Sequence, residues 1–81
     1  PRVVHSVEQA LRRLNRLVGS VPDWQQLEQF LPPELYDSFE RRSAVASTLT
    51  ASLELARQGH LEIQQRQAFG PIYLRKASRG S

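Results

Sequence analysis

The sequence predicts a mainly α-helical domain with a small β-hairpin (α+β), arranged as a winged helix: helix, short helix, long helix and two-stranded wing. Three observations predict this fold. An amphipathic segment follows a capping signal near the start, a longer apolar segment ends at Gly59, and two alternating segments flank Gly70-Pro71. The 81 residues allow one domain with one core. We assign the domain to residues 1–75 and expect a flexible basic tail at 76–81.

The first helix begins at a capping box, in which the Ser6 hydroxyl and the Gln9 side chain each satisfy a free backbone amide. Gly19-Ser20 ends it. Apolar residues recur behind the box at helical spacing, namely Val7, Ala10, Leu11, Leu14, Leu17 and Val18. The opposite face carries Arg12, Arg13 and Arg16. We interpret these arginines as solvated helix surface, with contact to phosphate as the alternative.

A short second helix is predicted to begin at Trp24, after the possible cap Asp23. Pro32-Pro33 ends it, because proline donates no amide and restricts the residue before it. Trp24 shares a face with Leu27 and Leu31. We expect Trp24 to anchor the core, with an exposed binding aromatic as the alternative.

The long helix is predicted to begin between Asp37 and Ser43, either of which can cap it, and to end at Arg57-Gln58 before Gly59. Its polar edge consists of Ser47, Thr50, Glu54 and Arg57. Small or apolar side chains occupy more than half of its circumference: Ala44, Val45, Thr48, Leu49, Ala51, Ser52, Leu53, Leu55 and Ala56. A surface helix needs an apolar stripe of only ~100°. The helix is therefore either covered on two sides or partly reserved for a partner.

The wing is predicted from two segments in which apolar and polar residues largely alternate, as in half-buried strands. Leu61, Ile63 and Gln65 alternate with Glu62 and Gln64, and the return strand alternates Ile72 and Leu74 with Tyr73 and Arg75. Residues 66–71 form the loop, with Phe69 expected to fold back beneath it. The first strand of a winged helix is very short or missing in this pattern.

The charge distribution argues against a duplex-binding surface. The net charge is +3, but residues 1–74 contain eight arginines and eight acidic residues and are neutral. The excess lies in Arg75, at the end of the return strand, and in Lys76 and Arg79 of the expected tail. Duplex-binding surfaces concentrate positive charge on the folded domain. We therefore expect weak DNA binding at most, lost on removal of residues 75–81.

The sequence lacks the motifs of common enzymes and metal sites. Cysteine is absent, and His5 and His60 are too far apart for a zinc motif. No nucleophile elbow or glycine-rich phosphate loop occurs. We expect neither catalysis nor a cofactor nor a metal. No apolar run approaches the ~20 residues of a membrane span, and the lack of cysteine fits a cytoplasmic location.

Residues 41–75, "RRSAVASTLTASLELARQGHLEIQQRQAFGPIYLR", resemble the C-terminal domain of the bacterial segregation and condensation protein A (ScpA) family, the prokaryotic kleisins. The resemblance rests on Leu53-Glu54-Leu55, Arg57-Gln58-Gly59, Gln65, Phe69-Gly70 and Ile72. Residues 6–35 resemble the family more loosely. Leu49-Thr50 and Arg66 depart from residues that many relatives carry there.

The resemblance implies a winged helix that binds the ATPase head of an SMC protein and closes the SMC–ScpA–ScpB ring in chromosome condensation and segregation. It implies a nucleoid-associated, cytoplasmic protein that contacts ScpB through other parts of the full-length chain. The expected partner-binding residues are Leu49, Thr50, Leu53, Phe69, Ile72 and Tyr73. Two alternatives stay open: a DNA-binding winged helix of a transcription or chromatin protein, and an oligomerisation module that uses the apolar surface or the free hairpin edge.

Overall fold

A computed structural model describes residues 4–20 and 23–78. Its elements are helix α1 (Val7–Val18), strand β1 (Gln25–Gln26), a 3₁₀ turn (Leu27–Phe30), helix α2 (Ser38–Arg57), strand β2 (Leu61–Gln64) and strand β3 (Tyr73–Lys76). The two α-helices pack on one face of a small antiparallel sheet. The predicted winged-helix arrangement is confirmed, with one element changed.

Helix α1 has the predicted boundaries and the predicted cap. The Ser6 hydroxyl accepts a hydrogen bond from the Gln9 amide at 3.1 Å, and the Gln9 side chain accepts one from the Ser6 amide at 3.3 Å. This reciprocal pair satisfies amides that have no partner within the helix. Ala10, Leu14 and Val18 of the apolar face are buried.

The predicted short helix at Trp24 is wrong. Gln25 and Gln26 are extended and pair with Leu74 and Tyr73 of β3, and only the 3₁₀ turn Leu27–Phe30 follows. The Leu27 amide donates to the Ile72 carbonyl at 2.8 Å, so this segment takes its backbone partners from the wing. Too few residues remain before Pro32 for a stable α-helix.

Helix α2 begins after Asp37, one of the two predicted caps, and ends before Gly59 as predicted. The Asp37 carboxylate caps it by accepting from the Glu40 amide at 2.8 Å. Gly59 follows the C terminus with a φ of 83°, and the His60 amide donates back to the Leu55 carbonyl at 2.8 Å. This left-handed conformation closes the helix, and glycine adopts it without steric cost.

We expect Gly59→Ala to destabilise the domain by about 1 kcal/mol, because alanine is strained at positive φ. Gly19→Ala is the matched control: Gly19 also follows a helix, but its φ of −63° suits any residue and the nearest atom to an added Cβ lies 3.8 Å away. Urea unfolding measures both variants. Equal stability of the two variants would contradict the left-handed conformation assigned to Gly59.

The sheet has three strands in the order β1-β3-β2: the predicted two-stranded wing and a first strand of two residues, which the sequence predicted to be very short or missing. Ile63 and Leu74 are directly opposite each other and, with Leu61, lie on the side of the helices. Arg75 lies in β3 as predicted and pairs with Glu62, and Lys76, which we expected in the tail, also belongs to β3 and pairs with Leu61. Residues 79–81 lie outside the described part of the chain.

Helix α2 is the central element. It packs against α1 and β2, and its buried residues are mostly small: Ala44, Ser47, Thr48, Ala51 and Ser52. Ser47 is only 5% exposed, so its predicted place on a polar edge is wrong. Its hydroxyl donates to the Ala44 carbonyl at 3.1 Å, and that of Ser52 donates to the Thr48 carbonyl at 2.7 Å. Small side chains let another helix approach closely, and these bonds satisfy the buried hydroxyls.

Across residues 4–20 and 23–78, neither helix combines the length and the apolar character that crossing a membrane requires.

Candidate protein-interaction site

A groove of about 340 Å³ lies between α2, the 3₁₀ turn and the wing loop. Gln26 and Glu28 form a polar rim, and Gly70 lies at the loop end. The rest of the lining is apolar: Leu27, Val45, Leu49, Phe69, Pro71 and Ile72. A concave, largely apolar surface with a few polar groups at its edge is typical of a binding site.

Helix α2 contributes one wall of the groove and an apolar surface beside it. Val45 and Leu49 are half-buried and lie one turn apart on the same face. Leu53 follows one further turn along and is 56% exposed. The apolar face of α2 therefore continues beyond the groove onto open surface. This continuation is the part of the wide apolar arc that the domain's own core does not cover.

The wing loop contributes the most exposed large apolar side chain among the described residues. Phe69 is fully solvent-exposed, so its expected position beneath the loop is wrong. Its φ is 64°, a left-handed conformation uncommon for a residue with a large side chain. The neighbouring backbone holds this geometry, because the Gly70 amide donates to the Gln67 carbonyl and the Gln65 side chain donates to the Gly70 carbonyl, both at 2.9 Å.

The structure divides the six expected partner-binding residues into three groups. Leu49, Phe69 and Ile72 meet in the groove. Leu53 and Thr50 lie on the exposed surface of α2, with Leu53 in line with Leu49 and Thr50 farther round the helix. Tyr73 is half-buried and, because side chains alternate along a strand, projects from the sheet face opposite to Ile72 and Leu74.

That opposite face of the sheet is a row of paired polar and aromatic side chains. The Arg75 guanidinium lies 4.5 Å from the centre of the Trp24 ring and donates to the Glu62 carboxylate at 2.7 Å. Trp24 is half-buried and does not join the core, so its expected role as a core anchor is wrong. The Arg66 guanidinium lies 5.7 Å from the Tyr73 ring. The Arg75–Glu62 bond joins β3 to β2, and the arginine–ring contacts add to the packing of this face.

Sequence reasoning missed three apolar residues of the groove: Leu27, Val45 and Pro71. Val45 could have been found, because it lies one turn before Leu49 on the same helical face. Leu27 could not, since it reaches the groove only because β1 pairs with the wing.

The side chain of Arg13 on α1 forms hydrogen bonds within the domain, although the sequence predicted that it is solvated. Its Nε donates to the Phe30 carbonyl at 2.6 Å and its terminal nitrogen donates to the Thr48 hydroxyl at 2.8 Å. Arg13 thereby joins α1, the 3₁₀ turn and α2. Burial, and then the neighbouring Arg16, lower the pKa of Arg13. Arg12 and Arg16 are exposed as predicted.

A buried carboxylate fixes the segment that precedes α1. Glu40 is 5% exposed and accepts hydrogen bonds from the Tyr36 amide and the His5 ring, both at 2.9 Å. The bond from the Tyr36 amide, followed by that from His5, lowers the pKa of Glu40. The His5 amide donates to the Ser43 hydroxyl at 3.0 Å. This cluster serves the fold, because it lies away from the groove.

The charged side chains beside the groove form an exposed ion pair. Glu28 on the rim pairs with Arg41 at 2.9 Å, and both side chains are at least half exposed. Exposed pairs of this kind contribute about 0–1 kcal/mol. Within the described ranges, no group of three histidine or acidic side chains could hold a metal ion. The groove is suited to apolar contact rather than to metal coordination.

The fold and the groove together define a winged-helix domain with an exposed apolar surface suited to a protein partner. No family model matches the sequence, and no curated protein matches it. Among solved structures, the chain is similar to one from a crystal structure of the Smc head bound to the C-winged helix domain of ScpA. The TM-score is 0.60 at 20% sequence identity, covering 86% of this chain and 91% of the other. The resemblance inferred from the sequence is therefore confirmed at the level of the fold.

Proposed function

We propose that this domain is the C-terminal winged helix of a kleisin and binds the ATPase head of an SMC protein. The groove, with the exposed side chains of Leu53 and Phe69 beside it, is the observation that carries this proposal. A contiguous exposed apolar surface on a small domain is typical of protein interaction sites. The similar ScpA winged helix, which is bound to an Smc head, supports the choice of partner.

In this proposal the domain acts by binding alone, and ATP hydrolysis belongs to the SMC head. Head binding closes a ring of SMC, the kleisin and ScpB, with ScpB held by other parts of the kleisin. The role is in chromosome condensation and segregation, at the nucleoid in the cytoplasm. The domain requires no cofactor for it and makes no specific contact with nucleic acid.

The exposed side of α2 favours this proposal over DNA recognition. Ala46, Thr50 and Leu53 project from the middle of this side, and none has the long polar side chain that reads base edges; of the exposed arginines of α2, Arg42 lies one turn before Ala46. Arg41 and Arg57 of the same helix pair with Glu28 and Glu54. We infer that the exposed surface of α2 binds protein.

The test is a calorimetric titration of the domain with the SMC head encoded in the same genome. We expect a one-to-one complex with a negative heat-capacity change, because apolar surface is buried, and little loss of affinity at high salt. A folded domain that does not bind the head would overturn the proposal. So would tight duplex binding with a steep salt dependence by a chain ending at Ser78, which keeps β3 intact.

A further inference from the structure

We propose that Arg42 pairs with an acidic side chain of the SMC head and is a specificity-determining residue for head binding. The pairing rests on the function proposed above, and it specifies the chemistry of the partner. The docking surface of the head is apolar opposite Leu49 and Leu53, and it carries a carboxylate beyond that apolar area, opposite Arg42. Complementary charge of this kind selects among partners and fixes their orientation.

Arg42 lies in line with the apolar side chains on the exposed side of α2. Leu49 and Leu53 follow it two and three helical turns along, so the three side chains leave the helix in nearly the same direction. Leu53 is 56% exposed, and Arg42 is exposed as well. Three turns span about 16 Å, and a standard interface covers roughly 800 Å² of each partner. A protein that covers Leu49 and Leu53 therefore reaches Arg42.

Arg42 has no acidic partner within the described part of the domain. The two acidic residues at the start of the helix have other roles, since Asp37 caps it and Glu40 is buried. An arginine side chain is charged at any physiological pH, so Arg42 presents an unpaired positive charge next to the apolar surface. The other two arginines of α2 each form an ion pair within the domain: Arg41–Glu28 and Arg57–Glu54.

A carboxylate fits this position better than the phosphate backbone of DNA. A guanidinium binds either group through paired N–H donors. A duplex is held by several cations on one surface, but Arg41 and Arg57 are already paired with acidic residues. Leu49 and Leu53 also require apolar surface opposite them, which a protein provides and a phosphate backbone does not. A charged edge around an apolar centre is the usual arrangement of a protein interface.

The main expected effect of Arg42 is on the rate of association. A charge at the edge of an interface steers the encounter and changes the association rate and its salt dependence. Arg42→Glu is expected to slow association with the head about five- to tenfold at low salt and less than about twofold at high salt. Arg42→Lys keeps the charge and is expected to stay within about threefold of wild type. The apolar contact maintains the affinity at high salt.

Stopped-flow mixing of the domain with the SMC head from the same genome measures these rates at low and high salt. Arg12→Glu is the matched control, because Arg12 is exposed on α1 and does not line the groove, and its replacement changes the net charge by the same amount. We expect its association rate to stay within about twofold of wild type, since screening limits the reach of a distant surface charge. Circular dichroism confirms that each variant is folded.

Equal association rates of Arg42→Glu and Arg12→Glu would overturn the inference and leave the proposed function standing. A wild-type domain that does not bind the head would reject both. Loss of duplex binding in Arg42→Glu, with head binding unchanged, would also overturn the inference, because it would show that Arg42 contacts phosphate. Slow association of Arg42→Glu alone, restored in Arg42→Lys, supports a carboxylate on the head.

Discussion

Replacing Leu53 by glutamate is expected to lower the affinity of the domain for an SMC head by about 10- to 100-fold. Leu53 continues the line of Val45 and Leu49 beyond the groove and is 56% exposed in the free domain. A carboxylate there must be desolvated at the interface without a partner, while the free domain keeps it in water. Calorimetry with the SMC head measures the loss, and circular dichroism confirms the fold.

Asn15→Glu is the matched control for charge. Asn15 is exposed on α1 and does not line the groove, and its replacement changes the net charge by the same amount. We expect head affinity within about twofold of wild type for this variant, since isolated surface changes have small effects. If Leu53→Glu behaves like Asn15→Glu while Tyr73→Glu abolishes binding, the interface lies on the opposite face of the sheet.

Replacing Arg13 by methionine is expected to destabilise the domain by about 2–4 kcal/mol. Methionine keeps the apolar part of the side chain but leaves the Phe30 carbonyl and the Thr48 hydroxyl without their donor. Thr48 is fully buried, so water does not replace the lost bond. Urea unfolding measures the change in the free energy of unfolding.

Arg12→Met is the control for this substitution, because Arg12 is the preceding residue on α1 and is exposed. We expect a change within about 0.5 kcal/mol. Similar stabilities of the two variants would mean that the bonds from Arg13 do not hold α1 to α2. A large loss for Arg13→Met alone identifies Arg13 as a structural residue.

Local signals predicted both ends of α1 and the C terminus of α2, and they limited the start of α2 to Asp37 or Ser43, of which Asp37 is the cap. The Ser6–Gln9 box, the Asp37 cap and Gly59 each act on neighbouring backbone, so the sequence nearby is sufficient. The position of the short first strand at Gln25–Gln26 was missed because this strand pairs with Leu74 and Tyr73, almost fifty residues away. No local pattern reports such a partner.

The candidate site was predicted only in part, again because some of its features depend on contacts that local sequence does not report. Helical spacing and the family resemblance together singled out Leu49 and Leu53. Phe69 is exposed on a backbone of positive φ, and Ser47 is buried with its hydroxyl bonded to the Ala44 carbonyl; neither feature is visible in local periodicity. Arg13 was wrongly predicted to be solvated, because a long side chain on the outer face of a helix can bend back to buried acceptors. Periodicity predicts which way a side chain leaves the backbone but not where its end is bound.

The strand order has a consequence for synthesis of the protein. The central strand β3 is the last element of the described chain, and β1 and β2 each pair with it and not with each other. A nascent chain that stops at Ile72 therefore has no sheet and lacks Leu74, a fully buried core residue. We expect the domain to complete folding only after Lys76 has left the ribosome, and until then its apolar helix faces remain exposed to water and to other chains.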